Sequence, residues 1–155
     1  MFYRYRYENE IYPTQSRVPL HVRMKLDLTG LKISLKTWLG FSLEERWALC
    51  HLPVDSEEEK QTFISYLDFL CRRYFSTAVT SVPAITDPPW EQLGEIPDSV
   101  LAKSRETAQA LRPDEWHALN SCQRYALYKL SISKNEPEQF FAVLSEFREA
   151  GSSKT

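Results

Sequence analysis

Apolar residues recur at helical spacing in two long stretches of the chain. In the first, three glutamates follow Asp55 and Ser56, and apolar side chains then recur every three to four positions: Phe63, Ile64, Leu67, Leu70, Cys71 and Tyr74. Acidic residues favour the first turn of a helix, so the pattern predicts a long amphipathic helix over 57–75. A similar stripe, Phe140, Phe141, Leu144 and Phe147, predicts another helix near 136–149.

Start and stop signals predict shorter helices between these stretches. Pro19 suits a first helical turn, and Gly30 suits the left-handed residue that ends a helix. Ser42 with Glu45 three residues later forms a capping box. Together with the equivalent signals further along the chain, these predict helices at about 19–29, 43–52, 97–110 and 121–131.

The same order of residues occurs twice, 78 positions apart. Trp38 corresponds to Trp116 and Arg46 to Arg124, and the register holds without a gap over some fifty residues. A constant register of this kind indicates an internal duplication. We therefore expect an all-α fold in which pseudo-repeats 18–75 and 96–150, linked by the proline-rich segment 76–95, form a single domain over 1–155. Trp38 and Trp116 should be buried at matching places.

Two further segments lack the helical pattern. Segment 76–95 contains prolines that exclude a helix, and we expect Trp90 to hold it against the protein. Near the N-terminus, Tyr3, Tyr5 and Tyr7 alternate with basic residues, which favours an extended arm. The arm is expected to pack its aromatic face on the helical body. The alternative is stacking on single-stranded nucleic acid.

Composition limits the classes of partner. The chain has 19 basic and 21 acidic residues, a net charge of −2 and a pI near 6.0, which argues against nucleic acid as the main partner. Its three cysteines are widely spaced, so neither a disulfide framework nor a zinc knuckle is indicated. No apolar run has the length of a membrane span or a secretory leader. We therefore expect a cytoplasmic protein without a membrane association.

Candidate catalytic and metal-binding groups are sparse. Cys50 and His51 are neighbours whose side chains diverge on a helix, and neither His117 with Cys122 nor the isolated His21 has evident further ligands. The acidic run 55–59 is more typical of a helix start than of a cation site. No nucleophile motif or glycine-rich phosphate loop occurs. We therefore predict no catalytic residues, no metal site and no cofactor.

The two tryptophan and arginine pairs call for an explanation of their own. Arg46 and Arg124 each follow their tryptophan, Trp38 or Trp116, by eight residues. A guanidinium stacked on the indole, or one that caps the short preceding helix, would explain why both copies have the pair. The alternative is a paired anion site, because fixed arginines bind oxoanions well.

A basic stretch offers a candidate partner-binding surface. Between residues 17 and 36, only Asp27 opposes a series of cations: Arg17, Arg23, Lys25, Lys32 and Lys36. These residues form either a solvated helix face or a docking surface for an acidic protein, since clustered charge speeds and orients encounter. The candidate partner-binding residues are Arg23, Lys25, Lys32 and Lys36, expected on one exposed side.

The order and spacing of several segments resemble the nitrate reductase-associated protein family. The resemblance covers nearly the whole chain and is carried by residues 18–33, Trp38, Ser42 to Arg46, Leu52-Pro53, the Pro-Pro-Trp-Glu of 88–91, Ile96-Pro97, Trp116 and the Gln-Arg-Tyr-Ala-Leu-Tyr-Lys-Leu of 123–130. It implies a small cytosolic protein of photosynthetic bacteria, encoded near assimilatory nitrate reductase and implicated in its activity or maturation. Many relatives have cysteines where this chain has Arg17 and Thr29. If those cysteines bind a metal or cluster elsewhere, this chain has lost that function; if they do not, the helper role is unaffected.

The resemblance implies a non-catalytic accessory protein that supports assimilatory nitrate reductase through protein binding. It would hold the molybdenum enzyme in an active form, assist insertion of its cofactor, or bridge it to the acidic electron donor ferredoxin. One alternative is a small redox or cluster-carrier protein, which would need cysteines at ligand spacing and would absorb visible light. Another is a helical DNA-binding regulator, which the charge balance disfavours.

Overall fold

A computed structural model of the protein describes residues 1–152 and is mostly helical, as expected. Its helices are Leu20–Thr29 (α1), Leu35–Gly40 (α2), Leu43–His51 (α3), Glu57–Phe75 (α4), Asp98–Ser104 (α5), Pro113–Ala118 (α6), Ser121–Ser131 (α7) and Gln139–Ser152 (α8). Two short strands, Leu31–Lys32 (β1) and Thr80–Ser81 (β2), and two 3₁₀ turns, Arg6–Glu8 and Pro89–Glu91, complete the elements described.

The chain divides into two compact units. Unit 1 comprises residues 1–4 and 8–86, and unit 2 comprises residues 5–7 and the chain from Asp87 onward. The boundary at 86 and 87 lies inside the proline-rich segment 76–95. Whether the whole chain folds as the single domain expected from the sequence stays a prediction.

Local capping signals account for most of the helix boundaries. Ser42 and Ser56 each accept a hydrogen bond from the backbone of the third helical residue, and the glutamate there bonds back, so α3 and α4 both begin with a capping box. Asn120 and Gln123 do the same for α7. The bounds of α4 and α7 are those that the sequence predicts.

Two helices of unit 2 differ from the sequence-based bounds. The helix expected over 97–110 ends at Ser104, because the chain turns back there and the Leu111 amide donates to the Ser104 hydroxyl over 2.9 Å. The last helix begins at Gln139 and not near 136. Pro137 disfavours helical geometry at the residue before it, which agrees with the later start.

The core of unit 1 is built around the inner face of α4. Phe63, Leu67 and Leu70 are fully buried there and pack in one apolar cluster with Trp38 from α2 and Leu49 from α3. Their spacing is the stripe that the sequence predicts. Burial of each such side chain is worth about 1.5–3 kcal/mol.

A two-residue antiparallel ladder closes unit 1. Leu31 pairs with Ser81 and Lys32 with Thr80. Gly30 precedes the ladder at φ 74°, and a Cβ atom there would lie 2.6 Å from the carbonyl oxygen of Val82. Glycine is therefore required both for the left-handed end of α1 and for the close approach of the returning chain.

The core of unit 2 is rich in aromatic side chains. Trp90 is buried, with its ring centroid 4.9 Å from that of Tyr125 and 5.6 Å from that of Tyr128. The prediction that Trp90 holds the proline-rich segment against the protein is therefore confirmed. Tyr5 is also fully buried in this unit, and its hydroxyl donates to the carbonyl oxygen of Cys122 over 2.7 Å.

The N-terminal residues form the expected arm only in part. Residues 1–5 have no regular secondary structure, and the ring of Phe2 lies edge-on to Tyr12 and Trp47 within unit 1. The expectation of an extended arm is wrong for Arg6–Glu8, which form a 3₁₀ turn. Glu8 turns inward there, since its carboxylate bonds to groups inside unit 1.

Helices of the two units begin at equivalent positions. The helices α1 and α5, α2 and α6, and α3 and α7 each start 78 residues apart. The order of these helix starts is that expected from the repeated sequence. Superposition of the two units, and thus the duplication itself, stays a prediction.

Candidate functional site

The residues of the basic stretch lie in different surroundings. Arg17 and Arg23 are exposed, and their charges act on Glu8. Lys32 on β1 and Lys36 on α2 are also exposed. Lys25 differs from them, with only 1% of its surface exposed, so the prediction that it belongs to an exposed docking face is wrong.

Lys25 points into unit 1, where it caps the end of α3. Its ammonium group donates to the carbonyl oxygens of Leu49 at 3.4 Å, Cys50 at 2.5 Å and Met1 at 3.1 Å. The last carbonyls of a helix have no partner within the helix and carry partial negative charge, so a cation stabilises them. The role of Lys25 in the structure is therefore to hold α1, α3 and the N-terminal residues together.

Lys36 lies beside an apolar groove at the surface of unit 1. Leu35, Leu39 and Gly40 of α2 line this groove together with Phe75, the last residue of α4, and its volume is about 540 Å³. Leu35 and Leu39 are 49% and 46% exposed. Since two large apolar side chains one helical turn apart are left in solvent, this part of the surface is a candidate contact region. We call it the α2 groove.

A second depression adjoins the α2 groove and shares Phe75 with it. Lys32, Ser34, Thr37 and Cys71 are among the residues that line it, and its volume is about 320 Å³. Within the described part of the chain, Lys32 and Lys36 are the charged residues that line the two depressions. The surface is therefore apolar at its centre and positively charged at its edge.

In unit 1, the tryptophan and arginine pair holds a loop. The indole Nε1 of Trp38 donates to the carbonyl oxygen of Gln15 over 2.8 Å, and Nη1 of Arg46 donates to the same oxygen over 2.9 Å. Gln15 is buried and has φ 51°, a left-handed conformation that costs an ordinary residue about 1–2 kcal/mol. The pair therefore stabilises a strained turn ahead of α1.

In unit 2, the corresponding pair holds the segment ahead of α5. Trp116 donates to the carbonyl oxygen of Gln92 over 3.1 Å, and Nε of Arg124 donates to that of Trp90 over 2.7 Å. Arg124 also donates to the carbonyl oxygen of Leu119, which follows α6. This contact agrees with the capping of the short preceding helix that the sequence suggests, which stays a prediction. Arg46 instead donates to the carbonyl oxygens of Ser42, the N-cap residue of α3, and of Thr14 and Gln15.

A buried carboxylate supports the start of α1. The two carboxylate oxygens of Glu8 accept hydrogen bonds from the Tyr12 hydroxyl at 2.8 Å and from the Leu20 amide at 2.9 Å. Burial raises the pKa of Glu8 to about 7, although these hydrogen bonds and the nearby arginines oppose the shift. Glu8 is therefore poised to take up or release a proton near neutral pH.

His21 and Cys50 are held in their neutral forms. Nδ1 of His21 accepts a hydrogen bond from the Tyr3 amide over 2.8 Å. Burial, with the nearby charge of Lys25, lowers the pKa of His21 to about 3, and burial raises the pKa of the Cys50 thiol to about 12. A protonated thiol is a poor nucleophile and metal ligand, so the chemistry of Cys50 agrees with a packing role.

The other candidate ligands are not brought together. The described residues contain no group of three or more His, Cys, Asp and Glu side chains arranged for a metal ion. Arg17 and Thr29 differ in setting: Arg17 is exposed, whereas the Thr29 hydroxyl donates to the carbonyl oxygen of Lys25 over 2.8 Å. Residues 1–152 also include no helix with the length and apolar character of a membrane span.

The sequence analysis did not predict the α2 groove or the burial of Glu8. A signal for the groove was present, since Leu35, Leu39 and Leu43 are spaced four residues apart beside two lysines. No comparable signal marks Glu8, because a lone glutamate near the N-terminus is normally solvated. Its burial depends on contacts with residues further along unit 1.

These features define a small, mostly helical protein with a lysine-edged apolar surface. The chain belongs to the conserved nitrate reductase-associated protein family, whose model matches residues 4–147. The description of this family associates its members with nitrate reductase. No curated protein and no solved structure matches the chain significantly.

Proposed function

We propose that the protein is a non-catalytic accessory protein that supports the activity or maturation of assimilatory nitrate reductase by binding. The observation that carries the proposal is the surface of Lys32, Lys36, Leu35 and Leu39 in a member of this family. Exposed leucines supply apolar contact area, and exposed lysines attract an acidic partner. Both are properties of a binding surface, and neither requires a reaction at the site.

Three modes of support agree with such a surface. The protein would stabilise the active form of the reductase, assist insertion of its molybdenum cofactor, or bridge the enzyme to ferredoxin. Electrostatic steering serves each mode in the same way, because it raises the rate of encounter and orients the two proteins. The first two modes act on the reductase alone, whereas bridging requires a ternary complex.

The first test measures association with purified nitrate reductase. We expect the on-rate to fall as salt rises, because exposed charges are screened within about 10 Å at 0.1 M salt. Lys32→Glu with Lys36→Glu should lower the on-rate by roughly tenfold and leave the fold intact. Arg105→Glu with Lys134→Glu changes the net charge equally at exposed positions of unit 2, so it is the matched control.

The modes of support are then separated by activity. An increase in reductase activity with a chemical reductant in place of ferredoxin supports stabilisation, and an increase in the molybdenum content of the enzyme supports cofactor insertion. A complex that forms only when all three proteins are present supports bridging. If the wild-type protein binds nitrate reductase in none of these assays, the proposed function is overturned.

We also propose that the two units are copies of one ancestral helical unit. The matched helix starts and the Trp38 and Trp116 hydrogen bonds support this proposal. An experimental structure in which 18–75 and 96–150 superpose helix by helix would test it. Different helix orders in the two segments would contradict it.

A further inference from the structure

We infer that the α2 groove binds an acidic, amphipathic segment of the partner protein, whose apolar side chains lie against Leu35 and Leu39. This inference rests on the proposed function and specifies which surface is used and what it recognises. Leu35 and Leu39 are each about half exposed and lie one turn apart on α2. Apolar anchors at helical spacing on the partner segment would match this arrangement.

Phe75 packs closely against α2 at Gly40. A Cβ atom at Gly40 would lie 2.4 Å from Cζ of Phe75, so the ring of Phe75 rests directly against the backbone of α2. Phe75 is the last residue of α4 and lines both depressions. The apolar floor is therefore part of the packing between α2 and α4 and is formed before any partner binds, which limits the ordering cost of association.

The charges around the groove favour an acidic occupant. Lys36 lines the groove and Lys32 lines the depression beside it, and neither lysine forms an ion pair with another described residue. In the last turn of α4, Arg72 and Arg73 are exposed and contact Asp68 and Glu45 respectively. These arginines are already neutralised in part, so the lysines are the residues that would bind carboxylates of the partner.

Unit 2 lacks these features at the equivalent positions. Displaced by 78 residues, Leu35, Lys36, Leu39 and Gly40 correspond to Pro113, Asp114, His117 and Ala118. The two leucines and the lysine are thus absent there, although α6 begins at the position equivalent to the start of α2. The helix itself does not require exposed leucines, which leaves binding as their role in unit 1.

The test compares two double variants of the groove. Leu35→Ser with Leu39→Ser removes the apolar anchors, and Lys32→Glu with Lys36→Glu reverses the edge charges. The control is Leu93→Ser with Ile132→Ser, which removes apolar side chains of unit 2 that are 40% and 49% exposed. Circular dichroism and thermal unfolding confirm that each variant is folded, and titration calorimetry measures binding to purified nitrate reductase over a range of salt concentrations.

We expect both groove variants to bind at least tenfold more weakly than the wild type, and the control to remain within twofold. The charge-reversed variant should also lose most of the salt dependence. Wild-type affinity in the serine variant would overturn the groove as the site, while binding by the wild type would keep the proposed function. Weak binding by the serine variant with no effect of charge reversal would overturn the acidic occupant.

Two further outcomes identify a different partner. If sedimentation shows that the wild type is a dimer and the serine variant a monomer, the occupant is a second copy of the chain, which overturns the inference. If the wild type binds nitrate reductase neither alone nor in the presence of ferredoxin, the proposed function is overturned and the partner named here is overturned with it.

Discussion

In each unit, a tryptophan and an arginine side chain bind the backbone segment ahead of the first helix, but they donate to different carbonyl groups in the two units. In unit 1, Trp38 and Arg46 donate to one oxygen, that of Gln15. In unit 2, Trp116 and Arg124 donate to oxygens two residues apart. An indole and a guanidinium at fixed spacing can therefore secure two differently shaped turns. In both units these side chains donate hydrogen bonds to the backbone ahead of the first helix, but the backbone segment that accepts them follows a different path in each unit.

Equivalent positions of the two units also differ in charge and in setting. Position 36 is an exposed lysine, whereas the equivalent position 114 is an exposed aspartate that pairs with Arg112 over 3.1 Å. Lysines at equivalent positions also differ: Lys25 is buried on carbonyl groups, while Lys103 lies over the ring of Phe141. Comparison of the units thus separates residues that the fold requires from residues free to serve binding.

The largest expected effect comes from the two buried tryptophans. Trp38→Ala and Trp116→Ala should each lower the free energy of unfolding by roughly 3–5 kcal/mol, because a large cavity forms and the hydrogen bond from the indole to a backbone carbonyl is lost. Chemical denaturation followed by circular dichroism measures the change. Trp47→Ala, at a half-buried position of unit 1, serves as the control and should cost less.

A loss of unfolding free energy below about 1 kcal/mol at one tryptophan and not at the other would show that the two units do not use this residue in the same way. The two residues would then have different roles despite their equal burial, with 0% exposed in both cases. The prediction from the sequence that both tryptophans are buried is confirmed.

The arginines should differ in their effect on stability. Arg124 is 6% exposed and bonds to the carbonyl oxygens of Trp90 and Leu119, so Arg124→Met should cost about 3 kcal/mol. Arg46 is more exposed, and Arg46→Met should cost about 1 kcal/mol. Urea unfolding of the two variants tests the order. Equal losses would show that solvent does not replace the hydrogen bonds of Arg46.

Lys25 and Lys103, which occupy equivalent positions, should also differ in their effect on stability. Lys25→Met should cost roughly 2–3 kcal/mol, because the last carbonyls of α3 lose a charged donor. Lys103→Met should cost about 0.5–1 kcal/mol, the range of a partly exposed cation over an aromatic ring. Thermal and urea unfolding measure both values. A loss at Lys25 no larger than that at Lys103 would contradict the capping role.

A further expected effect concerns the pH dependence of unit 1. The pKa of Glu8 rises from 4.5 in an ordinary carboxyl to about 7 in the fold, so the unfolded chain releases this proton at lower pH. Glu8 therefore favours the fold below about pH 4.5, and this contribution is lost as pH rises to 7. Relative to Glu8→Gln, the wild type should lose on the order of 2 kcal/mol between pH 5 and 7.5.

Urea unfolding at several pH values gives this difference directly. His21 works in the opposite direction, since its pKa is lowered to about 3 and its contribution is lost as pH falls below about 6.5. Because His21 is present in both proteins, its effect cancels in the comparison. Parallel pH curves for the wild type and Glu8→Gln would show that Glu8 does not titrate near 7.

Elements set by neighbouring residues were predictable from the sequence, and those set by distant contacts were not. The bounds of α4 follow from an acidic first turn and a regular apolar stripe, both local signals. The β1 and β2 ladder joins residues about fifty positions apart and has no such signal. The burial of Lys25 was missed for the same reason, because the carbonyl groups that neutralise it belong to another helix.

The candidate site was predictable in part. Exposed Lys32 and Lys36 agree with the expected basic surface, while Arg23 lies near Glu8 and Lys25 lies inside. Charge spacing along a chain cannot tell which cations share a side once the chain has turned between α1 and α2. The apolar groove was not predictable, because it includes the contact of Phe75 with Gly40. These residues are 35 positions apart, and only the fold brings them together.

The position of Tyr5 affects the order in which unit 2 can fold during synthesis. Its ring is fully buried there and its hydroxyl bonds to Cys122, 117 residues later, so unit 2 includes residues that are synthesised well before the rest of the unit. Domains generally fold as they emerge, N-terminal parts first. Here Tyr5–Tyr7 must wait until nearly the whole chain has been synthesised, and a fragment cut at residue 87 would lack a part of its own core.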